Sequence, residues 1–132
     1  MTLIPLATSI INPRKVGDRL IGDVGCALIT DTGNTYLGVC ANLDSNTFCA
    51  EKIAIGSMLT AGESRIQKIV AVWKDEKGAA HIVAPCGNCR ELIRQVNEEN
   101  LDTTVILATD KQVPLRDLLP YHDSWEKIDT HG

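Results

Sequence analysis

Apolar positions in this chain fall into two rhythms, near-continuous short runs and helical spacing, with polar turn residues between them. Val24-Gly-Cys-Ala-Leu-Ile-Thr30 is an apolar run of strand length and reads as a buried strand. Asp31-Thr-Gly-Asn34 is hairpin turn chemistry, and Thr35 to Ala41 is the returning strand. The polar stretch Asn42 to Phe48 predicts a loop, with Asn46 or Thr47 capping the helix that follows. From Cys49 to Thr60 the spacing is helical, with Ile53, Ile55, Met58 and Leu59 near one side. Ile66 to Trp73 predicts a strongly apolar strand, Asp75 to Gly78 a turn, and Ala79 to Ala84 another strand that Pro85 stops. A second helix is expected over Gly87 to Asn97, a last strand over Thr104 to Thr109, and short helices over Leu3 to Ile11 and Leu115 to Leu119. Strands alternating with helices predict a layered α/β fold on a mixed sheet of about five strands.

Bulk properties narrow the function. A length of 132 residues predicts one domain, residues 1–132, with enough chain for a single core. Thirteen Lys and Arg against 17 Asp and Glu give a net charge of −4, which argues against a broad nucleic-acid-binding face. The aromatic residues (Tyr36, Phe48, Trp73, Tyr121 and Trp125) are too few for a base-stacking platform. No apolar run has the length of a membrane span, and no leader pattern opens the chain.

The chemistry lies in two short segments, Cys49-Ala50-Glu51 and Pro85-Cys86-Gly87-Asn88-Cys89. Cys86 and Cys89 can grip one metal ion from a single turn of chain, and Cys49 supplies a third thiolate. A tetrahedral zinc so held keeps one position for water, the mark of a catalytic site. Both segments fall at helix starts, where unpaired amides and the helix dipole favour thiolate over thiol. Glu51 lies too close in sequence to Cys49 to join the same coordination sphere easily, and is placed to move protons on and off that water. A redox dithiol would leave Cys49 and Glu51 unexplained. A structural four-Cys site would need Cys26 or Cys40, whose apolar strand-like settings suit small buried hydrophobes instead. His81, His122 and His131 lack metal spacing to the cysteines and read as surface or terminal residues. Thiolate ligands suit a reducing compartment, which predicts a cytoplasmic protein.

His-x-Glu followed by Pro-Cys-x-x-Cys, with Cys allowed in place of His, is the signature of zinc deaminases. The chain resembles the cytidine deaminase superfamily in these segments, in Arg90-Glu91-Leu92 and in Val24-Gly25-Cys26-Ala27-Leu28, over about residues 20 to 126. The resemblance implies a three-layer α/β/α sandwich, one Zn2+ per chain, a free nucleoside substrate and a homotetramer with active sites near subunit contacts. It also implies that the Ala50 amide holds the substrate carbonyl and that the Ala84 carbonyl accepts from the leaving amine.

Three thiolates leave zinc at net −1, so Arg90 or Lys52 is expected to donate hydrogen bonds to them, with a solvent-facing Lys52 as the alternative. Members of the family carry Asn-x-Glu eleven and nine residues before the ligand Cys to hold the ribose; counting back from Cys49 gives Gly38 and Cys40. The usual Phe before the Val-Gly pair is Gly22. With the shortened loop, Ile53-Ala-Ile-Gly-Ser57 and the Leu118 to Glu126 ending, the chain looks more like the blasticidin-S deaminase branch. Asn42, Phe48 and Trp125 are the expected pocket contacts, Trp125 either closing over the ligand, in its own or a neighbouring subunit, or anchoring the tail on its own domain. The expected activity is hydrolytic deamination of a free aminopyrimidine nucleoside or analogue. Deamination of a polynucleotide base, and a non-catalytic zinc or nucleoside-binding role, remain as alternatives.

Overall fold

A computed structural model describes residues 3–129. The elements follow one another as α1 (Leu3–Ser9), β1 (Arg14–Val16), β2 (Arg19–Thr30), β3 (Thr35–Ala41), α2 (Ala50–Thr60), β4 (Ile66–Lys74), β5 (Ala80–Val83), α3 (Gly87–Val96), β6 (Thr104–Ala108) and β7 (Lys111–Pro114). Single 3-10 turns span Asp44–Asn46, Glu98–Asp102 and Leu115–Leu118.

The strands join in one seven-stranded mixed sheet, antiparallel except where β4 runs parallel to β6. Ile21 pairs with Arg14 on one side and Ala41 on the other, so β1 and β3 flank β2 on opposite edges. Ala71 of β4 pairs with Val83 of β5, and Ile69 with Val105 of β6, so β5 and β6 share the β4 edge that faces away from β2. The sheet is therefore about five strands wide although it contains seven. The two strands that the sequence pattern does not predict, β1 and β7, are short, and β1 is exposed throughout, which is why apolar patterning misses both.

The two faces of the sheet are covered separately. Leu3, Ala7 and Ile11 pack with Ala27, Val70, Val72 and Ile106 on one face. Ala54, Ile55 and Met58 of α2 and Ile93 of α3 pack with Cys26, Leu28, Ile69 and Val105 on the other. Successive side chains of a strand point to opposite faces, so Cys26 and Leu28 go to one core and Ala27 to the other. Burial on both faces explains the near-continuous apolar runs, and the layers are α/β/α as expected. Only half of the expected apolar face of α2 is inside, since Ile53 and Leu59 are 38% and 46% exposed. Neither Asn46 nor Thr47 caps α2. Its N-cap is Cys49, Asn46 closes a 3-10 turn, and the Thr47 hydroxyl accepts from the Leu43 amide.

Candidate active site

Two helix starts converge on one point. Cys49 is the N-cap of α2, and Cys86 is the N-cap of α3, with Cys89 in that helix's first turn. Both caps have extended backbone, which aims their side chains back across the helix end. The Cys89 amide donates to Cys86 Sγ at 3.4 Å. The three sulfur atoms lie within 4.8 Å of one another, and Cys49 Sγ is 3.9 Å from Cys86 Sγ. Cys26 and Cys40 are free and buried in the sheet, outside this cluster. His81 and His122 are exposed, His81 beside Asp75, while His131 lies outside the described residues.

Glu51 sits in the first turn of α2 and is 5% exposed. Burial raises its carboxyl above the usual range, partly opposed by a backbone hydrogen bond.

A cleft of about 270 Å³ opens over the cluster, lined by Cys49, Ala50, Glu51 and Cys86, and by Asn42, Phe48 and Ala84 among the expected contacts. Ala50 opens α2, so its amide has no partner within the helix. Ala84 follows the last ladder pair of β5, Ala71 with Val83. Trp125 is absent from the cleft and is 85% exposed, so it does not anchor the tail on its own domain. Gly38 is absent too. A Cβ there would lie 2.5 Å from the Ala54 nitrogen, because β3 presses directly on α2 at this point. The β3 positions that reach the cleft are Cys40 and, just beyond the strand, Asn42. Of the two positions reached by counting back from Cys49, Cys40 lines the cleft and Gly38 does not.

Asp23, Val24, Thr47, Trp73 and Val83 also line the cleft. Asp23 carried a readable signal, one charge set between Gly22 and an apolar run; the others carried none.

The description "Cytidine and deoxycytidylate deaminase zinc-binding region" fits residues 14–106 as a family model. The chain belongs to this deaminase family. A blasticidin-S deaminase of Bacillus cereus is 43% identical over 76 residues, 53% of this chain and 54% of that protein. A cytidine deaminase of Mycoplasma genitalium is 32% identical over 80 residues, 58% of this chain and 57% of that protein. These matches span little more than half the length of either relative. Among solved structures, cytidine deaminase from Burkholderia pseudomallei superposes with a TM-score of 0.70 at 25% identity, over 90% of this chain and 94% of that one. Cytidine deaminase from Mycobacterium leprae gives 0.72 at 22% identity, over 90% and 95%.

The cysteine cluster fits the zinc ion of the deaminase family on geometry and on charge. Sulfurs bound tetrahedrally at 2.3 Å stand about 3.8 Å apart, close to the 3.9 Å between Cys49 and Cys86. Burial pushes the Cys86 thiol up, but hydrogen bonds from the Cys89 and Asn88 amides and the neighbouring thiols outweigh it, leaving it below the ordinary value. Burial raises the Cys49 and Cys89 thiols, and negative neighbours, Glu51 among them, push the same way. Three thiolates therefore need a cation among them, which a divalent metal provides.

Arg90 was expected to donate to the thiolates, but its hydrogen bonds run elsewhere. Its Nε donates to the Pro85 carbonyl at 2.8 Å and its Nη1 to the Leu118 carbonyl at 3.4 Å. It thereby ties the segment leading into Cys86 to the 3-10 turn Leu115–Leu118. Lys52 is half-buried; its amide donates to the Cys49 carbonyl at 3.1 Å, and its side chain forms no hydrogen bond or ion pair among the described residues.

Proposed function

We infer that this chain catalyses zinc-dependent hydrolytic deamination of a free aminopyrimidine nucleoside or analogue, replacing the ring amine with a carbonyl oxygen from water and releasing ammonia. The observation that carries the reading is a buried carboxylate with a raised pKa, sharing one cleft with metal-ligating cysteines. Cys49, Cys86 and Cys89 would hold the ion, which when bound would make an attacking water acidic enough to act near neutral pH. Glu51 accepts the proton released by that water and passes it to the ring nitrogen. It then takes the second proton from the hydroxyl added to the ring, leaving the carbonyl, and delivers it to the departing amine, a shuttle that a carboxyl tuned towards neutrality performs well. The Ala50 amide donates to the ring carbonyl, the Ala84 carbonyl accepts from the amine, and Phe48 and Asn42 bound the ring. Arg90 acts as a positioning residue for Cys86.

The similarity to proteins named blasticidin-S deaminase and cytidine deaminase supports a cytosine-bearing substrate. No Lys, Arg or His lines the cleft, which disfavours a polynucleotide base as substrate. One continuous sheet supports reading residues 1–132 as a single catalytic domain. A homotetramer in the cytoplasm is part of the same proposal. Thiolate ligands favour a reducing compartment, and no helix among the described residues is long and apolar enough to cross a membrane.

The test is ammonia release from cytosine, cytidine, deoxycytidine, blasticidin S and adenosine, with Glu51→Gln as the control. Turnover of a cytosine nucleoside, at least about a hundredfold lower in Glu51→Gln with zinc content unchanged, is the expected result. Zinc retained with silence across the panel would remove the catalytic reading and leave a binding role.

A further inference from the structure

Asp23 is a second carboxylate in the cleft, and the fold takes trouble to place it. Between Ile21 and Gly25 the β2 strand advances four residues while β3 advances two, from Ala41 to Val39. The extra residues form a bulge, a device that re-aims side chains beside functional sites. Gly22 makes the bulge possible. Its φ is +80°, and a Cβ there would lie 2.7 Å from the Asn12 carbonyl oxygen. The result sets Asp23 beside Cys40 across the ladder. Cys40 Sγ donates to Asp23 Oδ1 at 3.0 Å, and Asn42 Nδ2 donates to the same oxygen at 3.3 Å. Among the described residues Oδ2 receives no hydrogen bond. One oxygen is held by two cleft-lining side chains, which leaves the other able to accept from a ligand.

An ionised carboxylate only accepts hydrogen bonds. The two acidic residues of the cleft are Asp23 and Glu51, with no cation among its lining residues to offset them. A phosphate brought there would be repelled, whereas a hydroxyl or an ammonium-type donor would be held. Asp23 and Trp73 also border a larger hollow of about 600 Å³, where Arg14, Lys15 and Lys74 face Asp23, Asp75 and Glu76. That balance gives room for a longer ligand arm without net attraction for an anion.

We propose that Asp23 is the specificity-determining residue of the cleft: its Oδ2 accepts hydrogen bonds from donors on the part of the substrate beyond the ring, and its charge excludes phosphorylated nucleotides. Cys40 is its positioning residue. The proposal rests on the deaminase reading above.

Steady-state kinetics of zinc-loaded wild type, Asp23→Asn, Asp23→Ala and Cys40→Ala test it. The substrates are cytidine, cytidine 5′-monophosphate, blasticidin S, and 1-methylcytosine as a ring without distal donors, used as substrate or competitor. Asp23→Asn keeps an oxygen for Cys40 and Asn42 and removes the charge. It is expected to raise KM for cytidine by about tenfold while kcat stays within about twofold. The constants for 1-methylcytosine stay unchanged, and the preference for cytidine over its monophosphate narrows. Cys40→Ala gives a smaller rise in KM of the same kind. A greater loss with blasticidin S than with cytidine identifies a cationic arm as the preferred donor; the reverse identifies the sugar hydroxyls. Zinc content and melting temperature accompany each variant. Wild-type turnover of cytidine with KM unmoved in both Asp23 variants overturns the assignment, as does a wild-type preference for the monophosphate. Failure of the wild type on every substrate instead removes the deaminase reading, and this proposal falls with it.

Discussion

Single side chains in this protein are set by what surrounds them, and Glu63 is a clear case away from the active site. Its carboxylate accepts from the Thr32 hydroxyl, from Asn34 Nδ2 at 3.0 Å and from the Tyr36 hydroxyl at 2.6 Å. Those hydrogen bonds, Thr32 first, hold its pKa down to about 2. An unfolded Glu titrates at about 4.3, so the folded chain holds the ionised form more strongly than the unfolded chain does. The resulting stability is complete above about pH 5 and is lost as pH falls through the window down to about 2. Glu63→Gln should therefore lower the urea midpoint at neutral pH and flatten its dependence between those limits. Parallel acid profiles for wild type and variant would refute it. At this scale the sequence was most legible where motifs carry chemistry: Cys49, Glu51, Cys86 and Cys89 could be read from their spacing. It was least legible where a role depends on a neighbour's backbone. Arg90 bonds carbonyls that only the fold brings near, and Asp23 owes its place to a bulge that patterning does not reveal.

Elements meet at positions where one atom decides the spacing. β3 lies so close to α2 that a Cβ on Gly38 would stand 2.5 Å from the Ala54 nitrogen and 2.6 Å from the Ala50 oxygen. Neither backbone atom can move without shifting the turn that carries Cys49 and Glu51. Gly38→Ala should cost about 1–3 kcal/mol and lower zinc retention together with the melting temperature; wild-type values for both would contradict this packing. Asn100 does a comparable job at the other end of α3. It is fully buried; its Oδ1 accepts from the Ile66 amide at 2.8 Å, and its Nδ2 donates to the Ser64 and Ile93 carbonyls at 2.9 Å each. Truncation strands those buried backbone groups, so Asn100→Ala should lose about 2–3 kcal/mol, measured by urea unfolding. Strands buried on both faces, such as Ile66 to Lys74, were legible because burial forces apolar runs. β1 and β7 were not, since short edge strands are held by ladder bonds that need no apolar side chain. Asn100 sits in a polar stretch that reads as loop, and nothing local distinguishes a buried Asn from a solvated one.

The molecule as a whole leaves an apolar strip uncovered. Tyr121, Trp125 and Ile128 are 87%, 85% and 80% exposed, within a segment that follows the 3-10 turn Leu115–Leu118 and lies outside every strand and helix. Exposed side chains of this size are the kind that a partner surface covers. In the tetramer proposed above a second copy of this chain would cover them, and the cleft, which lacks Trp125 in one chain, would receive it from another. Sedimentation at micromolar concentration should then give a species four times the 14.3 kDa of the chain. Combined Trp125→Ala and Ile128→Ala substitution should shift that species towards smaller ones without loss of zinc, because neither residue touches the metal site. If Trp125 also covers a neighbour's ligand, Trp125→Ala alone should raise KM in enzyme that is still assembled. Normal assembly with normal KM would leave the strip unexplained by self-association. A fully active monomer would place every group the reaction needs within one chain.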